Sequence, residues 1–411
     1  LTSIVAAFAL LLPLVMSRNG EDSFRLPKEL ALRAEAILIA AALVVAWALR
    51  RLDLGPLELR RKWLVLTALI CSWTLLAAAF STNRLISAGT AVRILAFALV
   101  FVVTVLVMRG RSAPFAALIL APAVVNCAAY ILQELDRWPF WQNVEGEKHL
   151  SRTAFIGNPN DVGSYLIAPA LVAAALSLSQ RRFRAAWAAA ALLLAATTFV
   201  TQTVAAIGAL VVALIVMAGL WQRSWPKFGA ALLAIGVAAA IAVSVYPPLR
   251  QRAAVMREAL AHRDYETFSA ARTVPFLAAA NMAADHPLLG VGPGCFAYNY
   301  FQYKIRLQQR HRWVFGPNMS LDNFGETHND HLQTMAETGF PGYALLLAAL
   351  VLLGSGSLPR ASGGHEYVRL VALPLAVGFF VLALAQFPLE IAAPTHAFLW
   401  AAASVAAWRQ W

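Results

Sequence analysis

Twelve apolar runs, separated by short polar or basic joints, organise this chain. They lie near residues 1–16, 30–49, 63–80, 85–108, 113–135, 161–179, 185–201, 203–221, 228–246, 338–354, 368–387 and 391–408. Most approach the roughly 20 apolar residues that an α-helix needs to cross the hydrocarbon core of a bilayer. A span must satisfy its own backbone hydrogen bonds, so helix is the expected element. The alternating decamers of a membrane barrel are absent. Only Thr201-Gln202-Thr203 separates the seventh run from the eighth, and one bent helix there would lower the count. The pattern predicts an all-α integral membrane protein of about twelve transmembrane helices. Residues 1–246 would hold helices one to nine, with an outer segment over 136–160. Residues 247–337 would form one large outer loop containing helices, and 338–411 would hold helices ten to twelve.

Composition agrees with the pattern. Of 411 residues 60% are hydrophobic and 13% charged, about half the charged share of a soluble domain. The formal charge is +12, and its distribution sets an orientation. Arg50, Arg51, Arg60, Arg61 and Lys62 follow the second run; Arg109 and Arg111 the fourth; Arg181, Arg182 and Arg184 the sixth. Arg223 and Lys227 follow the eighth, Arg360 the tenth and Arg409 the twelfth. Basic joints stay cytoplasmic, so both termini are expected inside and the 247–337 loop on the outer face. The first run ends without a small-residue cleavage site, so no signal peptide is expected. Cys71, Cys127 and Cys295 form no disulfide framework or CxxC zinc pattern. No long basic tract interleaved with aromatics points to nucleic acid.

The large loop is itself basic, with Arg250, Arg252, Arg257, Arg263, Arg272, Lys304, Arg306, Arg310 and Arg312. Such a surface suits an anionic headgroup such as a phosphate or pyrophosphate, or simply the surrounding lipid phosphates. Three segments could do chemistry. The first is Glu326-Thr327-His328-Asn329-Asp330-His331, just before Gly339-Phe340-Pro341-Gly342. His328 can serve as a general base, since imidazole titrates near neutrality. The plainer reading is a helix cap, with Thr327 and Asn329 as capping residues. On a helix, His328 and His331 would also share a face with Glu326 or Asp330 as further metal ligands, but no HExxH motif supports this. The second segment, Gly157-Asn158-Pro159-Asn160-Asp161, reads as a turn and N-cap, with Arg152 upstream as an anion ligand. The third is Arg272 followed by Pro287-Leu288-Leu289-Gly290-Val291-Gly292-Pro293-Gly294, whose amides could face an anion. It lacks the GK[ST] ending of a nucleotide loop.

Taken together, these segments resemble the O-antigen ligase and polymerase superfamily of bacterial envelope glycosyltransferases. Its signature is His, then Asn, Ser or Gln, nine residues, Gly, two residues, and Gly, Thr or Tyr. His328-Asn329, the nine residues 330–338, Gly339, two residues and Gly342 match it without a gap. The 287–294 stretch is similar to the family's other outer-loop marker, and 157–160 to the one before its sixth span. Two departures stand out. Many relatives carry Ser-Arg where Thr201-Gln202-Thr203-Val204 stands here, and Cys295 replaces a common polar residue.

The resemblance implies a C-type glycosyltransferase-like membrane fold and an O-antigen ligase of lipopolysaccharide biosynthesis. Its donor would be O-antigen on undecaprenyl pyrophosphate and its acceptor a sugar hydroxyl of lipid A-core, with membrane lipids around it and no cofactor or metal. In this reading His328 is the general base of an inverting single displacement, and Arg152 and Arg272 bind the pyrophosphate. Asn329, Asn160, Glu326, His331, Gly339 and Gly342 support the site. A polymerase or a protein O-oligosaccharyltransferase would use the same donor. A twelve-span transporter or flippase predicts ionisable residues at mid-membrane depth, where Arg93 is an exception among nearly charge-free runs.

Overall fold

Apolar runs become helices wherever they are described. A computed structural model describes residues 1–17, 22–50, 61–108, 112–140, 152–222, 225–262, 264–269, 272–310, 323–358 and 366–408. Among them helix is the only regular element. The chain enters through α1 (Thr2–Leu11), α2 (Arg25–Ala48), α3 (Arg61–Ala79), α4 (Arg84–Val107), α5 (Ser112–Ala116) and α6 (Leu120–Glu134). It continues through α7 (Pro159–Ser179), α8 (Arg184–Val200), α9 (Val204–Trp221) and α10 (Trp225–Val245). The expected large loop contains α11 (Pro247–Ala261), α12 (Tyr265–Ser269), α13 (Thr273–Asp285) and α14 (Phe296–Arg310). The chain closes with α15 (Asp330–Gly354), α16 (Glu366–Ala383) and α17 (Ala392–Ala406).

Among the described residues, eight helices are long and apolar enough to cross a membrane, lying within α2, α3, α4, α5–α6, α7, α9, α15 and α16. The chain is therefore a helical, multi-pass membrane protein. The other four expected spans fold as α1, α8, α10 and α17. Large apolar side chains are exposed on α2, at Ile37, Val44 and Trp47, and on α3, at Val65, Leu69 and Leu75, as suits helices long and apolar enough to cross a membrane. Arg51, Arg60, Arg109, Arg111, Arg223, Arg360 and Arg409 of the basic joints, and Arg263 and Arg312 of the loop, lie outside the described residues.

The centre of the bundle is α7, which is buried along most of its length and packs on α8, α9, α16 and α17. Its start is well specified: Asn158 is the N-cap, its Oδ1 accepting from the Asp161 N–H at 2.9 Å, and Pro159 occupies the first turn. Thr201 and Gln202 turn the chain between α8 and α9, so two helices stand there rather than one. Gly163 of α7 admits the Thr201 and Thr203 side chains, at 3.0 and 3.1 Å from where its Cβ would be. A second, smaller core lies under the loop helices, built from Val274, Ala278, Met282, Phe296, Tyr300 and Ala336 among others.

The two cores meet at a break in α15. This helix starts at Asp330, eight residues before the predicted tenth run, because Asn329 caps it and its first two turns bury against protein instead of lipid. It then breaks at Gly339, where φ is 71° and ψ 180°. Pro341 has no N–H for the Glu337 carbonyl, and Phe340 N–H turns away to Pro287 O at 2.8 Å. The freed carbonyls find partners elsewhere. Ala336 O accepts from Val291 N–H at 2.8 Å and Glu337 O from Gly292 N–H at 3.0 Å. Thr338 O accepts from the Trp73 indole at 2.9 Å, and Gly342 leaves room for the Thr338 and Trp73 side chains. The glycine-rich turn thus docks on the broken helix by backbone pairing.

Gly339 has no alternative here. A Cβ on it would sit 2.1 Å from Leu288 O, in a backbone region that already costs an L-residue about 1–3 kcal/mol. Gly339→Ala should lower the thermal unfolding midpoint in detergent, whereas Gly208→Ala, in open space on α9, should hold or raise it. An unchanged midpoint in Gly339→Ala would show that the break is soft.

Candidate functional site

His328 precedes α15 and is held in the left-handed region at φ 56°, an unusual place for a side-chain-bearing residue. Thr327 and Asn329 impose this bend. Thr327 Oγ1 donates to Asn329 O at 2.7 Å and accepts from Asn329 N–H at 3.0 Å, while Thr327 N–H donates to Gln333 Oε1 at 2.9 Å. Asn329 Oδ1 caps α15 through Leu332 N–H at 2.9 Å. The capping reading therefore describes Asn329, and it leaves the imidazole free for another task. The His328 ring stands edge-on to Phe387 at 4.5 Å and to Phe324 at 6.0 Å, and its Nδ1 is buried without a hydrogen-bond partner.

Two guanidinium groups flank this ring. Arg272, just before α13, donates through Nη1 to Ala385 O at 2.7 Å. Arg25, the first residue of α2, pairs with Glu326 at 3.0 Å and Asp161 at 3.4 Å, and its Cζ lies 5.3 Å from the centre of the Phe387 ring. Burial, then Arg272, then Arg25 push the His328 pKa down to about 3, so the ring is neutral at physiological pH. Burial and the neighbouring Arg252 lower the Arg272 pKa to about 10. Burial raises the Glu326 carboxyl while Arg25 opposes that rise.

The remaining expected residues divide. Asn160 Oδ1 accepts from Thr203 Oγ1 at 3.2 Å, which ties the start of α7 to the α8–α9 turn. Arg152 is engaged by Glu134 at 2.6 Å, whose other oxygen accepts from Tyr246 OH at 3.0 Å. Among the described contacts none joins Arg152 to His328. His331 Nε2 meets Phe380 O at 2.9 Å. His328 lies before the helix and His331 within it, so the two do not share a helix face. No group of three His, Cys, Asp or Glu side chains gathers among the described residues in a way that could hold a metal.

The glycine-rich turn also departs from expectation. Its last amide, with the Phe296 N–H just beyond it, faces a side-chain carboxyl group of the protein itself. Glu337 accepts from Gly294 N–H at 2.6 Å and Phe296 N–H at 3.2 Å. Cys295 is a buried free thiol beside Ser87, at 3.3 Å. A cavity of about 260 Å³ runs between α3, α4, α15 and α17. Trp63, Ile70, Phe97, Phe101, Leu346 and Phe398 line its shaft, and Arg93, Glu337 and Glu390 its polar head. Arg25 and the 384–390 turn were not foreseen from the sequence. Arg25 did carry a signal, being a basic residue at the start of an apolar helix.

With this geometry in view, the comparison with known proteins is informative. Residues 189–347 match the family model described as O-antigen ligase, a stretch that contains Arg272, His328, Gly339 and Gly342. Over that stretch the chain is similar to the O-antigen ligase/polymerase family. No curated protein sequence matches it. Members of this family are glycosyltransferase-like enzymes that handle glycans and lipid-linked substrates. The glycines of the motif now have a physical reason, since they form the break on which the loop docks.

The ring should titrate far below an ordinary histidine. Carbon-13 NMR of labelled histidine should place His328 near pH 3, with Arg272→Gln and Arg25→Gln each moving it upward. A His328 titrating at about 6.5, the ordinary histidine value, would contradict the burial described here.

Proposed function

We propose that this protein transfers a preassembled glycan from undecaprenyl pyrophosphate to a sugar hydroxyl of lipid A-core. The reaction would take place at the periplasmic face of the bacterial inner membrane, with twelve spans and both termini in the cytoplasm. The observation that carries the reading is a neutral, unbonded histidine between two arginines, inside the segment that matches the ligase family. Pyrophosphate is a good leaving group, so the enzyme's main tasks are positioning and charge stabilisation.

Arg25 and Arg272 grip the pyrophosphate, since guanidinium forks fit phosphate oxygens in pairs. Arg152, held by Glu134, contacts the donor further from the bond that breaks. His328 takes the proton from the acceptor hydroxyl as its oxygen attacks the anomeric carbon. The anomeric C–O bond breaks, its electrons pass to the pyrophosphate, and the configuration inverts in one displacement. A ring with a pKa near 3 is a weak base at rest. Bound pyrophosphate offsets the two cations and raises that pKa, so the base strengthens when donor is in place. The apolar shaft behind the site accommodates the polyprenyl tail. No metal enters this scheme.

Reconstituted protein supplied with lipid-linked glycan and lipid A-core should form the ligated product, with acceptor-free and peptide reactions as controls. Product built on the lipid carrier alone would identify a polymerase instead. His328→Ala should lose about 10²–10⁴-fold in kcat, and Arg25→Ala or Arg272→Ala about 10²–10³-fold. Near-normal turnover in His328→Ala would eliminate the base assignment. Activity should persist in excess chelator; abolition rescued by one metal would overturn the metal-free scheme.

The pH profile carries a further sign. Activity is lost as pH falls through the His328 pKa, because only the neutral ring accepts a proton. kcat/KM reports the free enzyme and kcat the donor complex. The acid limb of kcat should therefore lie above that of kcat/KM, and coincident limbs would mean that the donor leaves the ring's environment unchanged.

A further inference from the structure

The turn between α16 and α17 carries no motif, yet the polar contacts of the site converge on its backbone. Asn329 Nδ2 donates to Leu384 O at 2.9 Å, and Arg272 Nη1 to Ala385 O at 2.7 Å. Asp330 N–H donates to Gln386 O at 3.3 Å, while Asp330 Oδ2 accepts from Leu389 N–H at 2.9 Å. Between these contacts Phe387 places its ring against His328 at 4.5 Å and beneath Arg25 at 5.3 Å. His328 and both of its flanking cations therefore touch residues 384–387.

The far end of the same turn is tied down by a charge. Arg93, in the first half of α4, pairs through Nη2 with the Glu390 carboxylate and donates through Nη1 to Glu390 O at 3.2 Å. Glu29 of α2 adds a third contact at 3.4 Å. Arg93 is only 14% exposed, and an ionised side chain among apolar spans is costly unless paired. Such groups mark function more often than packing. Here the ion pair lies behind the reacting centre, so its effect must pass through the turn.

We infer that Arg93 and Glu390 anchor the 384–390 turn, and that Phe387 and Ala385 on it set the ring plane of His328 and the direction of the Arg272 guanidinium. Glu390 and Phe387 are positioning residues for the reaction proposed above. The inference rests on that reaction for its kinetic consequence, but not for its structural one. Loosening the turn lets water reach the imidazole and frees Arg272 from its carbonyl. The ring then becomes a better base at rest but a worse-aimed one. kcat falls, KM changes little, and the pH profile moves upward.

The test uses the full-length protein in nanodiscs with two readouts. The first is independent of function: diethyl pyrocarbonate modification of each histidine, followed by peptide mass spectrometry, with exposed His286 as internal reference. In Phe387→Ala and Glu390→Gln, His328 should be modified at least about 5-fold faster than in the natural protein while His286 is unchanged, because shielding by the turn is lost. The second is glycan transfer. kcat should fall about 10–100-fold with KM within about 3-fold, as expected for lost aim rather than lost binding. The acid limb of kcat/KM should move up, and Glu390→Asp should recover most of the activity. If Glu390→Gln does not fold, Phe387→Leu, which keeps apolar volume but removes the ring edge, carries both measurements. Folded variants with unchanged His328 modification and an unmoved acid limb would overturn the inference. If the natural protein transfers no glycan to any acceptor, the reaction assigned above fails, while the modification rates still decide whether the turn holds His328.

Discussion

A helix in a bilayer cannot leave peptide groups unpaired, and α15 breaks in spite of that constraint. Every other feature of the site depends on how the break is repaired. Gly339 and Pro341 free the carbonyls of Ala336, Glu337 and Thr338, and the turn at 287–294 and the Trp73 indole take them up. The repair joins three parts of the molecule. The membrane bundle supplies Trp73, the loop supplies its glycine-rich turn, and α15 supplies the helix whose cap orients His328. Non-helical backbone at this depth is tolerated only where protein satisfies it. The signature glycines are thus conformational requirements, and the histidine eleven residues upstream of the break inherits a fixed position from them.

Electrostatics complete the arrangement. His328 is kept neutral by burial and by two cations, and each cation is itself restrained. Arg25 is partly balanced by Glu326 and Asp161, and Arg272 is directed by a single carbonyl. Among the described contacts Arg272 meets a carbonyl and no carboxylate, which predisposes its side of the site toward an anion. The same cations that hold the ring neutral are those whose effect a phosphate would offset. The histidine's basicity and the presence of an anionic ligand are therefore linked by geometry alone. The acidic head of the cavity, with Glu337 and Glu390 around Arg93, is spoken for by internal contacts and holds backbone in place.

Much of this was legible beforehand. Twelve apolar runs, their basic joints and the Asn-Pro-Asn start of α7 follow from periodicity and capping, which are local properties. The His328-to-Gly342 spacing lies within the stretch that matches the ligase family model. The amides of the 287–294 turn, in contrast, looked free for a ligand and are occupied by His286, Ala336 and Glu337, because a satisfied donor and an open one have the same sequence. His328 and His331 looked like helix neighbours, and the left-handed bend at His328 separates them. Arg152 and Arg272 looked equivalent as cations, yet only Arg272 stands beside the ring.

The sequence by itself determined the class of molecule and the helices, and it singled out His328 as the candidate base. These depend on hydrophobic period, charge at helix ends and residue spacing, all of which act over a few turns. Only the tertiary structure decided which charges surround that imidazole. Arg25 meets Glu326 across 301 residues of chain, and the 384–390 turn reaches His328 from beyond the tenth run. Electrostatic interaction and hydrogen bonding act through space, and nothing in the local pattern of a chain records which distant segments will share the same few ångströms.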